Sequence, residues 1–340
     1  MEILNVNASK NYGVYITNNF ENLKEILSPY ASEKNVLIVT DEVVEKLYYS
    51  DVLNALDTSK VYKFVIKANE ESKNIQNYIS ILNFLCENSF DRSDLIVALG
   101  GGVVSDLAGF VASTYMRGIS FITIPTTILA AVDASVGGKT AVNMATGKNI
   151  VGAFYQPSAV YINVETFKTL PKSEYESGFG EIIKYFFIDS LLSYEDILSN
   201  DMQKIVKKCL TIKSKIVCSD EKESGARKLL NFGHTIGHAV EKLYKYKVPH
   251  GICVIIGINY ALSISLKYFN LSAEVMGKFD KIKALIKDYK CNFTSEEILK
   301  EIYNDKKRKG DSIDFVMVKD LSALQIVNLK IEELGKLLWT

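Results

Sequence analysis

The sequence predicts an α/β N-terminal domain built on a parallel sheet, followed by a mostly α-helical C-terminal domain. Three observations carry this. Short runs of branched apolar residues alternate with stretches of helical spacing through the first half, the pattern of βα units. One such run, Leu95-Ile96-Val97-Ala98-Leu99, breaks into Gly100-Gly101-Gly102 before helical spacing resumes at Val103 and Val104. Beyond Ala159–Val164 the strand-like runs stop and long amphipathic segments take over. The boundary falls between Glu165 and Pro171, giving domains 1–165 and 166–340.

Taken in order, Val36–Thr40 and Val61–Ile66 read as strands, with Val43–Leu56 helical between them and Ile75–Cys86 helical after them. The Leu95–Leu99 strand, glycine turn and helix start form a Rossmann-like unit. Glycine lets the backbone pass close beneath a ligand, and the helix N-terminus offers N–H groups and partial positive charge to a pyrophosphate. Phe121–Ile124 is a further strand, ending in Pro125-Thr126-Thr127. Asp133, Ser135, Gly137-Gly138-Lys139-Thr140, Asn143 and Gly147-Lys148-Asn149 follow. Charges and amides among small residues suit a phosphate and polyol site better than a packed core. Asp41 falls at a strand end, where a carboxylate binds an adenosine ribose, caps the next helix, or does both. In the second half Tyr175–Ile188, Met202–Val217, Leu229–Tyr246, Gly251–Phe269 and Val275–Tyr289 have helical spacing. Ile313–Val318 and Leu324–Val327 read as a hairpin before a last helix to Trp339.

At 340 residues, 48% hydrophobic and 24% charged, the chain has the composition of a globular protein of two domains. Lys plus Arg and Asp plus Glu number 40 each, so no net field favours nucleic acid or an anionic membrane. The five cysteines contain no Cys-x-x-Cys pair and read as free thiols of a reducing compartment. The first residues lack the pattern of a signal peptide, and the apolar stretch Ile252–Leu266 is too short to span a bilayer, reading instead as a buried helix. A cytoplasmic protein with no nucleic-acid and no membrane partner is expected.

All three histidines, His234, His238 and His250, lie close together in sequence. His234 and His238 are spaced i, i+4 and share a helix face. Two imidazoles with a carboxylate and open positions make a common catalytic zinc site. Glu181 is the candidate carboxylate; on spacing alone a solvated helical glutamate explains it as well. Lys213, Arg227, Asn231 and the Asp305-Lys306-Lys307 corner add anion donors, although part of the run Lys306–Lys309 reads equally as a solvated basic loop.

Several of these stretches belong together. They are Gly100-Gly101-Gly102-Val103-Val104-Ser105-Asp106, Tyr115-Met116-Arg117-Gly118, Ile124-Pro125-Thr126-Thr127, Val132–Asn143 and Gly147-Lys148-Asn149. Gly178–Tyr185, Leu230–Ala239 and His250-Gly251 continue the set. In this order they resemble the 3-dehydroquinate synthase family over nearly the whole chain. The resemblance implies a dehydroquinate synthase-like fold with the active site in the cleft between the domains. It implies conversion of 3-deoxy-D-arabino-heptulosonate 7-phosphate to 3-dehydroquinate and phosphate, with NAD and a divalent metal, zinc foremost and cobalt next. The partner is then a small sugar acid phosphate, with homodimerisation left open.

The resemblance also implies roles. Glu181, His234 and His250 bind the metal, which leaves His238 to the substrate phosphate and proton transfer; spacing alone would make both helical histidines ligands. Lys139, Lys184, His238 and Asp133 are catalytic. Arg117, Lys139, Asn149, Lys213, Arg227, Asn231, His238, Lys306 and Lys307 bind substrate. Asp41, Glu70, Lys73, Gly101, Gly102, Val103, Val104, Ser105, Asp106, Thr126, Thr127, Lys139, Lys148, Thr166, Phe167, Lys168 and Thr169 bind the cofactor. Ser105, Phe186 and Ile252 depart from the family pattern, where glycine, glycine and glutamate are usual. A glutamate at 252 would favour the helix N-terminus or orient His250; the first role is the one expected, so Ile252→Glu should raise the melting temperature slightly and leave zinc affinity and turnover unchanged. Three other readings stand beside this one: a sister sugar phosphate cyclase, a glycerol dehydrogenase-like metal-dependent enzyme, and a non-catalytic NAD-binding protein.

Overall fold

The computed structural model describes residues 1–271, 273–285, 289–306 and 310–338. The chain divides into two compact units, Met1–Leu170 and Pro171–Thr340.

The first unit opens with β1 (Glu2–Asn7), β2 (Asn11–Thr17) and α1 (Leu23–Ala31). It continues through β3 (Val36–Asp41), α2 (Val44–Ala55), β4 (Val61–Ile66), α3 (Ile75–Glu87), β5 (Leu95–Gly100), α4 (Gly102–Thr114) and β6 (Ser120–Pro125). The strands β7 (Lys139–Met144), β8 (Gly147–Phe154) and β9 (Ala159–Asn163) complete it. Seven strands form one sheet in the order β1-β2-β9-β6-β5-β3-β4. All neighbours are parallel except β1 and β2. Strands β3, β5 and β9 are buried at every position, as a sheet covered by helices on both faces requires. One core lies on each face, around Val104, Leu107 and Phe121 on one side and Leu27, Ile38 and Tyr161 on the other.

The β1–β2 and β7–β8 hairpins were not foreseen from sequence. Strand β1 alternates between half-buried or buried and exposed positions, and β8 is mostly exposed, so neither shows the continuous apolar run by which the central strands are recognised.

The second unit holds α5 (Lys172–Ile188), α6 (Tyr194–Ser199), α7 (Met202–Ser219), α8 (His234–Leu243) and α9 (His250–Phe269). Then come α10 (Ala273–Lys283), α11 (Ser295–Lys306), the antiparallel hairpin of β10 (Ser312–Asp320) and β11 (Ala323–Lys330), and α12 (Ile331–Leu338). The single helix expected over Leu229–Tyr246 is instead a 3₁₀ turn, Ala226–Asn231, and a separate α8. Gly233, with φ of 77°, breaks the two apart in a left-handed conformation that glycine adopts without strain. The helix expected over Val275–Tyr289 ends at Lys283, and residues 286–288 and Trp339 lie outside the described residues. Helix α9 has 20 residues, long and apolar enough to cross a bilayer, which the shorter stretch seen in sequence did not suggest. Here it packs against α5 and α8 and serves as the core of the unit.

Ile252, on the first turn of α9, is fully buried, which overturns the stabilising effect expected of a glutamate there. Ile252→Glu places an unpaired carboxylate in the core and should cost about 3–5 kcal/mol. Thermal unfolding should show a clear fall in melting temperature.

Candidate active site

Helix α9 approaches its two neighbours through glycine. A Cβ on Gly251 would lie 1.8 Å from the Ser177 carbonyl oxygen, and one on Gly180 would lie 2.1 Å from the Gly251 oxygen. The Ser177 hydroxyl also accepts the Gly251 N–H at 3.1 Å, satisfying a donor at the start of α9. On the other flank, a Cβ on Gly257 would lie 1.9 Å from the Gly233 oxygen. These crossings set Glu181 of α5 beside His250, the first residue of α9, and His234, the first residue of α8.

The Glu181 side chain is 2% exposed, which removes the solvated-glutamate reading. Its Oε1 lies 3.4 Å from both His234 Nε2 and His250 Nε2. Its Oε2 lies 2.5 Å from the Lys184 ammonium. Complete burial alone would push the carboxyl upward, but Lys184 and the two imidazoles outweigh it and hold the group well below the ordinary carboxylate range. Glu181 is therefore ionised. The His234 Nδ1 is tied to the Phe232 carbonyl at 3.0 Å and the His250 Nδ1 to Glu241 Oε2 at 3.2 Å, so both rings turn Nε2 toward Glu181. Burial would lower the pKa of His250, yet Glu181 and Glu241 raise it to about 9; the cluster attracts positive charge.

These atoms fit a metal ion. Two ligand atoms each about 2.1 Å from a tetrahedral ion are about 3.4 Å apart, the separation found from Glu181 Oε1 to each imidazole. Ligand atoms of His234, His238 and His250 also lie within 4.8 Å of one another. His238 is exposed, with its ring 5.3 Å from that of His234 and 5.6 Å from that of His250.

The anion donors of this unit are held in place from behind. Lys213 on α7 and Arg227 are buried. Asp220 accepts the N–H groups of Ser224, Gly225 and Arg227, closing the turn that presents Arg227. The Arg227 guanidinium donates to the Glu221 carbonyl. Asn231 donates to Glu223 Oε1 at 2.7 Å. Lys306 ends α11, but its side chain and all of Lys307 lie outside the described residues.

In the first unit the chain runs from β3 outward to β4, then returns on the other side of β3 as β5. Ligands of such sheets sit at the carboxyl ends of the strands flanking this reversal. Asp41 ends β3, the glycine turn follows β5, Thr126-Thr127 follow β6, and Thr166–Thr169 follow β9. Asp41 Oδ1 accepts the Val43 and Val44 N–H groups at 3.0 and 2.9 Å, so the capping alternative holds. Helix α4, which carries Val103, Val104 and Ser105, begins without a side-chain cap. A Cβ on Gly102 would meet only Ala134 Cβ, at an ordinary 3.8 Å, so nothing in the packing demands glycine there. The buried Thr40 and Thr126 hydroxyls have no hydrogen-bond partner among the described residues. An uncapped helix, a glycine the protein itself does not need and two unbonded hydroxyls together fit a dinucleotide.

A second group stands beside them. Lys73 Nζ pairs with Asp106 Oδ2 at 2.7 Å. Asn143 donates its backbone N–H to the Lys73 carbonyl and its amide to Glu70, and accepts the Asn149 N–H at 3.0 Å. Lys148 lies 3.9 Å from Glu70. One network thus joins Glu70, Lys73, Asp106, Lys148 and Asn149 through Asn143, which the sequence reading placed in the phosphate and polyol site without a role of its own. Asp133 lies on a π-helical turn, Ala130–Ala134, and Lys139 is exposed at the start of β7. Thr166 and Phe167 are buried; Lys168 pairs with Glu165 and Thr169 with Tyr48. Arg117 joins none of these groups. It is exposed, with φ of 68°, beyond the C-terminal end of α4 and before the amino end of β6. That is the opposite edge of the sheet from the glycine turn.

A strand–glycine–helix turn thus stands in one unit and a carboxylate–imidazole cluster in the other. The chain superimposes on 2-deoxy-scyllo-inosose synthase, solved with carbaglucose-6-phosphate, NAD+ and Co2+, with TM-score 0.90 and 20% identity over 99% of each chain. It matches 2-epi-5-epi-valiolone synthase of Streptomyces hygroscopicus, solved with NAD+ and Zn2+, with TM-score 0.85 and 21% identity over 99% of this chain and 98% of that one. At such identities the likeness shows the fold alone. Sequence decides the rest. The family described as 3-dehydroquinate synthase N-terminal matches residues 63–177, and 3-dehydroquinate synthase C-terminal matches 178–308. The 3-dehydroquinate synthase of Alkaliphilus metalliredigens is 40% identical over 357 aligned positions, covering 100% of this chain and 99% of the relative. The chain belongs to the 3-dehydroquinate synthase family.

Because Gly251 has no room for a methyl group, Gly251→Ala should force α5 and α9 apart and destabilise the protein by about 1–3 kcal/mol. Chemical denaturation of the two proteins checks this; equal midpoints would show that the crossing tolerates the extra carbon.

Proposed function

We infer that the chain is a 3-dehydroquinate synthase, converting 3-deoxy-D-arabino-heptulosonate 7-phosphate to 3-dehydroquinate and phosphate in the shikimate pathway. Full-length relatives at 40% identity carry this reading, and the glycine turn and the Glu181 cluster support it. NAD supplies a transient hydride acceptor, and a divalent metal, zinc on our reading, supplies polarisation of a carbinol. The residues of the chain do the rest. Glu181, His234 and His250 hold the metal, with Lys184 keeping Glu181 ionised. Asp41, the turn at Gly101 and Gly102, Thr126, Thr127 and the Lys73–Asp106 pair seat the dinucleotide. Arg227, Lys213 and Asn231 take the substrate carboxylate and phosphate, because a guanidinium fork suits a planar carboxylate and an ammonium suits phosphate. His238, exposed beside the metal ligands, moves the proton that accompanies phosphate loss. Five free cysteines agree with a cytoplasmic location.

Hydride leaves and returns within one turnover, so phosphate should appear without net NADH. Simultaneous assay of phosphate and of nicotinamide absorbance, with a panel of sugar acid and sugar phosphates, tests both the cycle and the substrate. Stoichiometric NADH would identify a dehydrogenase, and turnover of a neutral sugar phosphate a sister cyclase.

Alanine at Glu181, His234 or His250 should abolish bound zinc, whereas His238→Ala should keep zinc and lose activity; metal analysis of the four purified variants decides. Arg227→Ala should weaken the acid substrate by roughly 10- to 100-fold, the loss of one charge-assisted contact, and leave NAD titrations nearly unchanged.

A further inference from the structure

His234, His238 and Glu241 are spaced i, i+4, i+7 and so lie along one stripe of α8, facing the start of α9. Glu241 is 5% exposed and stands in the last turn of its helix, where the negative end of the helix dipole disfavours a carboxylate. A buried carboxylate in that position persists only with a compensating partner. One such partner is His250: Glu241 Oε2 lies 3.2 Å from Nδ1, while Nε2 of the same ring lies 3.4 Å from Glu181. The imidazole is held between two carboxylates, one at each nitrogen. Ile252, two positions beyond His250, is fully buried and offers no acceptor.

We propose that Glu241 is the positioning residue of the metal site, fixing His250 as the Nδ1–H tautomer with its Nε2 lone pair aimed at the ion. This rests on the reading of Glu181, His234 and His250 as ligands. A carboxylate behind an imidazole fixes its orientation and raises its basicity, and loss of such a partner costs about 10–100-fold in metal affinity or activity. His234 has only a backbone carbonyl in the equivalent place, so mutation of α8 can alter the support of His250 alone.

The test is zinc affinity, by chelator competition on the full-length protein, with the absorption spectrum of the cobalt-loaded form as a second readout. Glu241→Ala should raise the zinc dissociation constant roughly 10- to 100-fold and shift the cobalt bands. Glu241→Gln, which keeps an acceptor oxygen without its charge, should fall between Ala and wild type and carries the test if the alanine variant does not fold. Lys242→Ala, the next residue on the same helix, should bind zinc as wild type does. Unchanged affinity and cobalt spectrum in the Glu241 variants, or an equal loss in Lys242→Ala, would overturn the proposal. The underlying metal reading fails separately: wild type would bind no zinc, or Glu181→Ala would bind it undiminished, and the role of Glu241 would fall with it.

Discussion

The second unit depends on a distance of closest approach. Helix α9 meets α5 at Gly180 and Gly251 and meets the start of α8 at Gly257, at separations where a single added carbon would fall about 2 Å from a carbonyl oxygen. The chain gives up helix propensity at these three positions to achieve this. In return, two imidazoles far apart in sequence from Glu181, those of His234 and His250, each come within 3.4 Å of its carboxylate, held by backbone packing, not by long side chains. Placement by rigid helices leaves little freedom for the ligand atoms to wander.

Close packing also changes the electrostatics. Glu181 and Lys184 are both nearly inaccessible, and the adjacent ammonium, with the two imidazoles, keeps the carboxylate charged. Such a pair adds little to stability compared with an apolar one. Its retention makes sense as chemistry: a carboxylate that stays charged in a dry site can hold a cation. In the first unit the logic is different. There backbone N–H groups, hydroxyls and a capped carboxylate at four neighbouring strand ends provide a polar rim above an apolar sheet.

Much of this was legible in the residues. The parallel sheet follows from continuous branched runs such as Leu95–Leu99 and Val36–Thr40, because strands covered on both faces have no polar side to interrupt them. The helical half followed from period alone. What periodicity missed were the helices α1, α6 and α11, the two hairpins β1–β2 and β7–β8, and the break at Gly233, where the apolar spacing of the 3₁₀ turn runs into that of α8. The charged state and burial of Glu181 were invisible because they depend on which helix crosses α5, and sequence spacing says nothing of that. Glu241 escaped for a related reason: at i+7 from His234 it looks like any surface glutamate until the loop to α9 folds His250 back upon it. Arg117 was read together with the anion donors through its motif, yet it occupies the far edge of the sheet from the glycine turn.

Asp41 carries a consequence for cofactor choice. One of its oxygens is committed to two backbone N–H groups, which anchors the carboxylate at the end of β3 before any ligand arrives. On the present reading that fixed negative charge meets the adenosine ribose. A free diol can donate to it; a phosphate ester on the same sugar would be repelled by it. Discrimination between the two nicotinamide dinucleotides would then be a property of the empty binding site, arising from a helix cap that also serves as a charge filter.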